Sequence, residues 1–171
     1  MFTNRNWNLC LSGLLVAAAA GYAGAATAQM PAAITAPGEA VITTVHASGA
    51  QLYECKPGTD GKLSWSFREP IATLMLDGKT IGRHFAGPTW EHVDGSAVTA
   101  KSVGNAPGAT AGDIPWLKLE IVDHRGKGAL EDVTTIQRVN THGGVLQGSC
   151  TKASDIRSVP YSADYVFLRK S

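Results

Sequence analysis

From Val41 onward, apolar and polar residues alternate at every second position in short runs, broken by turn residues about every dozen positions. That is the period of a β-strand, not of a helix. "KLSWSF" puts Leu63, Trp65 and Phe67 on one face. "IPWLKLEIVD" sets Leu117, Leu119 and Ile121 against Lys118 and Glu120, and "VPYSADYVFL" sets Ala163, Tyr165 and Phe167 on one side. "VITTVH" is β-branched, and "AQLYEC" runs into the turn material "KPGTDG". Pro70 is expected to interrupt a strand that "IATLML" resumes up to Asp77-Gly78. Pro115 suits the first position of a strand, where a missing N–H does least harm. Asn105 to Asp113, "NAPGATAGD", reads as the one long loop of small and polar residues and the segment most expected to move.

"LEDVTTIQRVN" fits the pattern less well, because Leu130, Val133, Ile136 and Val139 recur at a spacing of three. The run Val-Thr-Thr-Ile disfavours a helix, since β-branched side chains lose rotamer freedom there, so the segment is read as a strand. Short turns cannot supply the crossovers of a parallel sheet, so the pairing is expected to be antiparallel. The expectation is an all-β, single-domain antiparallel β-sandwich or β-barrel. The pattern does not choose between the two.

Asp94-Gly95 is a strong hairpin signal. A two-residue loop there would set Glu91 opposite Val98 and Trp90 opposite Thr99. One face would then hold Glu91, Val93 and Val98, and the other Trp90 and His92. Either Glu91 goes inside with the valines, or Trp90 is buried and takes His92 with it. A buried carboxylate needs a donor, and Arg83 or His84 on the preceding segment is nearest in sequence.

The ends change the picture more than the composition does. Arg5 followed by "LCLSGLLVAAAAGYAGA" and the triplet Ala26-Thr27-Ala28 has the form of a signal peptide, residues 1–28, cleaved after Ala28. An Ala/Pro-rich leader, 29–40, expected to be loose, would precede one domain at 41–171. The protein is therefore expected to be periplasmic or secreted. No later run is long and apolar enough to span a membrane as a helix. Of 171 residues, 15 are Lys or Arg and 14 are Asp or Glu, and processing removes Arg5. The remaining charge balances with no basic block, which argues against nucleic acid as a partner. Processing also removes Cys10 and leaves Cys55 and Cys150. In an exported protein that pair is read as a disulfide.

Catalytic signatures are sparse. There is no G-x-S-x-G elbow, no phosphate-cradling glycine loop, and no two histidines at H-x-H or H-x-x-x-H spacing. No cofactor is expected. The richest stretch is "GRHFAGPTWEHVDGS", from which His84, Trp90 and Glu91 are taken as ligand-binding candidates, with Trp116 beside them. A metal site, if these segments converged in space, would draw on His84, Glu91 and His92.

"GAQLYEC", "WSFREPIATL", "GRHFAGPTWEHVDGSAV", "IPWLKLE", "IQRVNTHGG" and "VPYSADYVF" occur in this order, and the chain resembles domain-of-unknown-function family 3455, secreted proteins of bacteria and fungi. The likeness spans about Val41 to Leu168. Its most specific part is H-x-x-G-P-x-W-E-x-x-D-G-S, from His84 to Ser96. Beyond that stretch, Pro115, Trp116, Arg138, Thr141, Gly143, Gly144 and Cys150 match the family pattern, while Leu146-Gln147 departs from it. The resemblance implies a single exported domain and brings no activity. The function expected is a non-catalytic binding or envelope-associated module. Its partner would be a small molecule, a glycan or an envelope component. A metal-assisted hydrolase using His84, Glu91 and His92, or a periplasmic protein-binding inhibitor, is the alternative.

Overall fold

The computed structural model describes Met1 and residues 30–171; the expected signal peptide and its cleavage point lie outside the described residues. Eight strands follow in chain order: β1 (Glu39–Pro57), β2 (Leu63–Leu76), β3 (Lys79–Phe85), β4 (Thr89–His92), β5 (Ala97–Ala106), β6 (Trp116–Arg125), β7 (Thr135–Gly143) and β8 (Ile156–Lys170). Each pairs antiparallel with the next, and β8 returns to β1. The sheet is a closed up-and-down barrel, which leaves no free edge. Of the two expected all-β architectures, the chain forms the barrel.

Alternation decides what goes inside. Val45 and Ala47 of β1, Leu74 of β2, Trp90 of β4, Val98 of β5, Leu119 of β6, Ile136 of β7 and Tyr165 and Phe167 of β8 form one buried cluster. Alanines at 47, 72, 100 and 163 make room for Trp90 and Tyr165. At Gly49 the strands approach so closely that a Cβ would collide with the Ile71 carbonyl, so only glycine serves there.

Pro70 does not break its strand. β2 runs straight through it, with Pro70 opposite Gln51. A bulge absorbs the irregularity: Leu52 faces Glu69 and Tyr53 faces Phe67, leaving Arg68 as the extra residue. The bulge shifts the parity of β2, so Phe67 and Pro70 both face inward although three positions apart.

The β4–β5 hairpin corrects the expected register. Its loop has three residues, Val93-Asp94-Gly95, closed by His92 N–H on the Ser96 carbonyl at 2.9 Å and Gly95 N–H on the His92 carbonyl at 3.0 Å. Gly95 has φ of 90°, the left-handed position that such a loop reserves for glycine. Trp90 therefore faces Val98 and Glu91 faces Ala97. The choice posed by the two-residue loop disappears, because Trp90 and Val98 share the inner face and Glu91 lies outside. The Asp94 carboxylate selects this geometry by accepting from Ser96 N–H at 2.8 Å and the Ser96 hydroxyl at 2.6 Å.

The spacing of three at residues 130–139 now has a cause. Leu130 and Val133 precede β7 and plug one barrel end, Ile136 faces inward, and Val139 lies on the outer face. The leader is docked rather than loose. A short 3₁₀ turn, Ala32–Ile34, buries Ile34 completely against Ala106, Val139 and Trp116 on the outside of the wall. Gln137 Nε2 donates to the Ile34 carbonyl at 2.6 Å. The loop before β6 is tied as well: Asp113 accepts from Thr110 and, at 2.6 Å, from Gly143 N–H.

The wall is uneven. β1, β2 and β8 have 19, 14 and 15 residues, whereas β3 and β4 have 7 and 4. The tall side is crossed by the Cys55–Cys150 disulfide, which joins the end of β1 to the β7–β8 loop with Cα atoms 5.9 Å apart. Among the described residues, no helix is long and apolar enough to cross a membrane.

Candidate functional site

The inner face of the barrel gathers a group of polar and aromatic side chains at one end. His84 on β3 lies directly opposite Trp90 on β4, and their rings stack at 4.1 Å and 14°. Tyr165 on β8 meets both edge-on, with centroids 5.2 and 5.3 Å away. The Gly87-Pro88 turn joins β3 to β4 beside this group, and it is what places the two rings face to face. His84 Nδ1 donates to the Thr89 carbonyl at 2.9 Å, which leaves Nε2 as the lone-pair nitrogen. Burial pushes the His84 pKa down to about 3 from 6.5, so the ring is neutral.

Arg138 on β7 stands opposite Tyr165 on β8 and Leu117 on β6, which fixes its side chain on the inner face. Its Nε and Nη2 donate to the Pro115 carbonyl at 3.1 and 2.8 Å. Burial raises the pKa of both Tyr161 and Tyr165, whose hydroxyls lie 3.4 Å apart.

These residues surround a cavity of about 310 Å³. Gln51, Pro70, His84, Trp90, Arg138 and Tyr165 form its walls with Leu119, and Phe67, Arg68, Gly87, Pro88, Ser102 and Leu117 complete the lining. Phe67 is 55% exposed, an aromatic ring left half in water. Two donors in the walls are buried with no hydrogen-bond partner, Gln51 Nε2 and Trp90 Nε1, on residues 2% and 1% exposed. An unpaired buried N–H costs about 1–3 kcal/mol. No Asp or Glu lines the cavity.

A second cavity, of about 290 Å³, occupies the opposite end between Val45, Leu74, Ile81, His92, Leu130 and Phe167, and it is almost wholly apolar. Residues 126–134 cover that end. Asp94 Oδ2 accepts from Ala129 N–H at 2.8 Å, and Ser96 Oγ accepts from Leu130 N–H at 3.2 Å. The bonds Asp94 accepts from the Ser96 hydroxyl, Ala129 N–H and Ser96 N–H, in that order, hold its carboxyl far below the usual range.

The residues singled out from sequence separate. His84 and Trp90 line the first cavity. Glu91 points outward, where Arg83 Nη2 meets its Oε1 at 2.7 Å and Arg125 Nη2 its Oε2. Those two guanidinium groups lower its pKa. His92 faces inward but at the other end, with Nδ1 3.0 Å from Asp94 Oδ2. The structure thus does not bring His84, Glu91 and His92 together. Among the described residues no three His, Cys, Asp or Glu side chains gather in a metal-binding group. Trp116 lies on the outer face under Ile34, away from the cavity. Sequence reasoning passed over Gln51 and Tyr165 as site residues, and Arg138 entered only as a family position. The signal available was a polar residue at an inward parity: Gln51 in step with Tyr53 and Cys55, Arg138 in step with Ile136.

The fold and its contents define a class: a small eight-stranded β-barrel with one plugged end and one donor-rich end cavity. The family model described as "Protein of unknown function (DUF3455)" matches residues 36–80 and 75–169, and the chain belongs to this family. No curated protein and no solved structure matches the chain.

Proposed function

We propose that this protein is an exported, non-catalytic binding module that holds a small organic ligand in the cavity beside His84, Trp90 and Arg138. The observation that carries this reading is a part-open cavity among aromatic rings and Arg138, two of whose lining residues, Gln51 and Trp90, each keep a buried side-chain N–H without a partner. Folded chains rarely leave buried donors unpaired, and a ligand that accepts from them removes the cost. An eight-stranded barrel has an interior of the right width for one small molecule.

The protonation states support binding over proton transfer. His84 stays unprotonated and both tyrosines stay protonated through the neutral range, so none is poised to exchange a proton near pH 7. Export is supported by the Cys55–Cys150 disulfide, a bond that persists in oxidising compartments.

The test is a thermal-shift screen of the purified protein against small aliphatic, aromatic and sugar-derived compounds, repeated on Leu117→Trp. The added ring would fill the cavity from the rim. Compounds that raise the melting temperature of the native protein and lose that effect in the variant are expected. A screen in which nothing stabilises the protein, or in which Leu117→Trp responds equally, would falsify the reading.

A further inference from the structure

We propose that the ligand of the end cavity is a small planar carboxylate, its charged end held by Arg138 and the donors of Gln51 and Trp90. This rests on the reading that the cavity holds a ligand at all, and it adds what kind of ligand.

Charge comes first. The lining contains two cations and no anion. Arg68 is already matched by Glu69, with Nε 3.1 Å from Oε1. Arg138 has no carboxylate partner among the ion pairs of the described residues. A guanidinium partly withdrawn from water, bonded to a carbonyl and the Tyr165 hydroxyl but to no anion, is under-compensated. Its bonds to Pro115 fix the plane of the fork and leave the remaining N–H groups for another acceptor.

Hydrogen-bonding capacity points the same way. Gln51 Nε2, Trp90 Nε1 and Arg138 are all N–H donors, and the first two are without partners. An ionised carboxylate is acceptor-only and matches a wall rich in donors. A phosphate dianion fits less well, because its second charge would meet no second unpaired cation.

The remainder of the wall sets the body of the ligand. The stacked His84 and Trp90 rings, the Tyr165 ring, Pro70 and Leu119 present flat and apolar surfaces, and the neutral imidazole adds no repulsion to an aromatic face. At the packing density of protein interiors, 310 Å³ admits on the order of a dozen non-hydrogen atoms. Benzoate, cinnamate and indole-3-acetate are of this class.

The experiment compares each of those three acids with its amide, which keeps the shape and removes the charge, and includes benzylamine and inorganic phosphate. Binding is read by calorimetry and by quenching of tryptophan fluorescence. At least one acid is expected to bind tenfold or more tightly than its amide. Arg138→Gln is expected to bring the acid down to the level of its amide, and Arg138→Lys to retain part of the gap. Amides or benzylamine binding as well as the acids would overturn the carboxylate assignment and leave the cavity reading standing. So would an acid preference that survives Arg138→Gln, or phosphate binding in place of the acids. If no probe of any charge binds, both readings fall. Should Arg138→Gln unfold through loss of its tie to Pro115, the acid-to-amide ratio of the native protein decides alone.

Discussion

The two ends of the barrel handle polar groups in opposite ways. At the plugged end the polar groups that hold the cover are paired: Asp94 accepts from Ser96 and Ala129, and Ser96 accepts in turn from Leu130. At the other end two buried donors of the inner face have none, a cation faces no anion, and a phenylalanine ring stands half in water. One end is finished by its own chain; the other is chemically incomplete. In a fold this small, that difference separates the end whose side chains complete the structure from the end where they are left unmatched.

The largest effect expected from attacking the contrast comes from the disulfide, which braces the tall wall beside the incomplete end. It closes 95 residues, so replacing Cys55 and Cys150 with alanine should cost roughly 4–5 kcal/mol in the chain-entropy model, read by urea unfolding. A cost under about 1 kcal/mol would show that the sheet alone holds that end.

Acid should separate the two ends by pH. The folded His84 has a pKa of about 3 against 6.5 ordinarily, so below pH 6.5 the unfolded chain takes up the proton first and stability falls with pH. By pH 4.5 the loss should reach about 3 kcal/mol, and His84→Phe should flatten it. Asp94 also has a depressed pKa, so its contribution is present above its ordinary 3.8 and is lost only as the pH falls below that value. Urea unfolding at several pH values gives both windows. If His84→Phe leaves the slope between pH 6.5 and 4.5 unchanged, the neutral buried imidazole is wrong.

Substitution should then change stability with opposite sign at the two ends. Asp94→Ala is expected to lower the melting temperature by several degrees and to speed hydrogen exchange at Ala129 and Leu130, because it releases the plug. Gln51→Met removes a donor without a partner at similar volume, and should raise stability by about 1 kcal/mol while weakening any ligand. Destabilisation by Gln51→Met would mean that the amide is already satisfied within the protein. The smallest effect is expected outside the barrel, where Glu91→Gln disturbs a solvent-facing pair of arginine bridges. A melting temperature within about 2 °C of the native protein is expected there.

The all-β class, the antiparallel order and the disulfide were legible because each has a short-range signature or a count: period two, turn dipeptides, two cysteines left after export. Closure into a barrel was not. It depends on β1 meeting β8, pairs such as His46 with Asp164 that no local pattern couples. Within the site, His84 and Trp90 could be named from one dense stretch. The side taken by Glu91 stayed open because a three-residue loop and a two-residue loop share the Asp-Gly signal, and one residue of register sends a side chain to the other face. Gln51, Arg138 and Tyr165 come from three distant strands, and only the closed wall makes neighbours of them.

The unequal heights of the barrel wall have one more consequence. With the far end covered by Leu130 and Val133, the wall beside the donor-rich cavity is shortest at the Gly87-Pro88 turn, between the two shortest strands. A molecule crossing the wall on that short side would come in tip first, so one lying flat on an extended surface would have to lift a free end to get in.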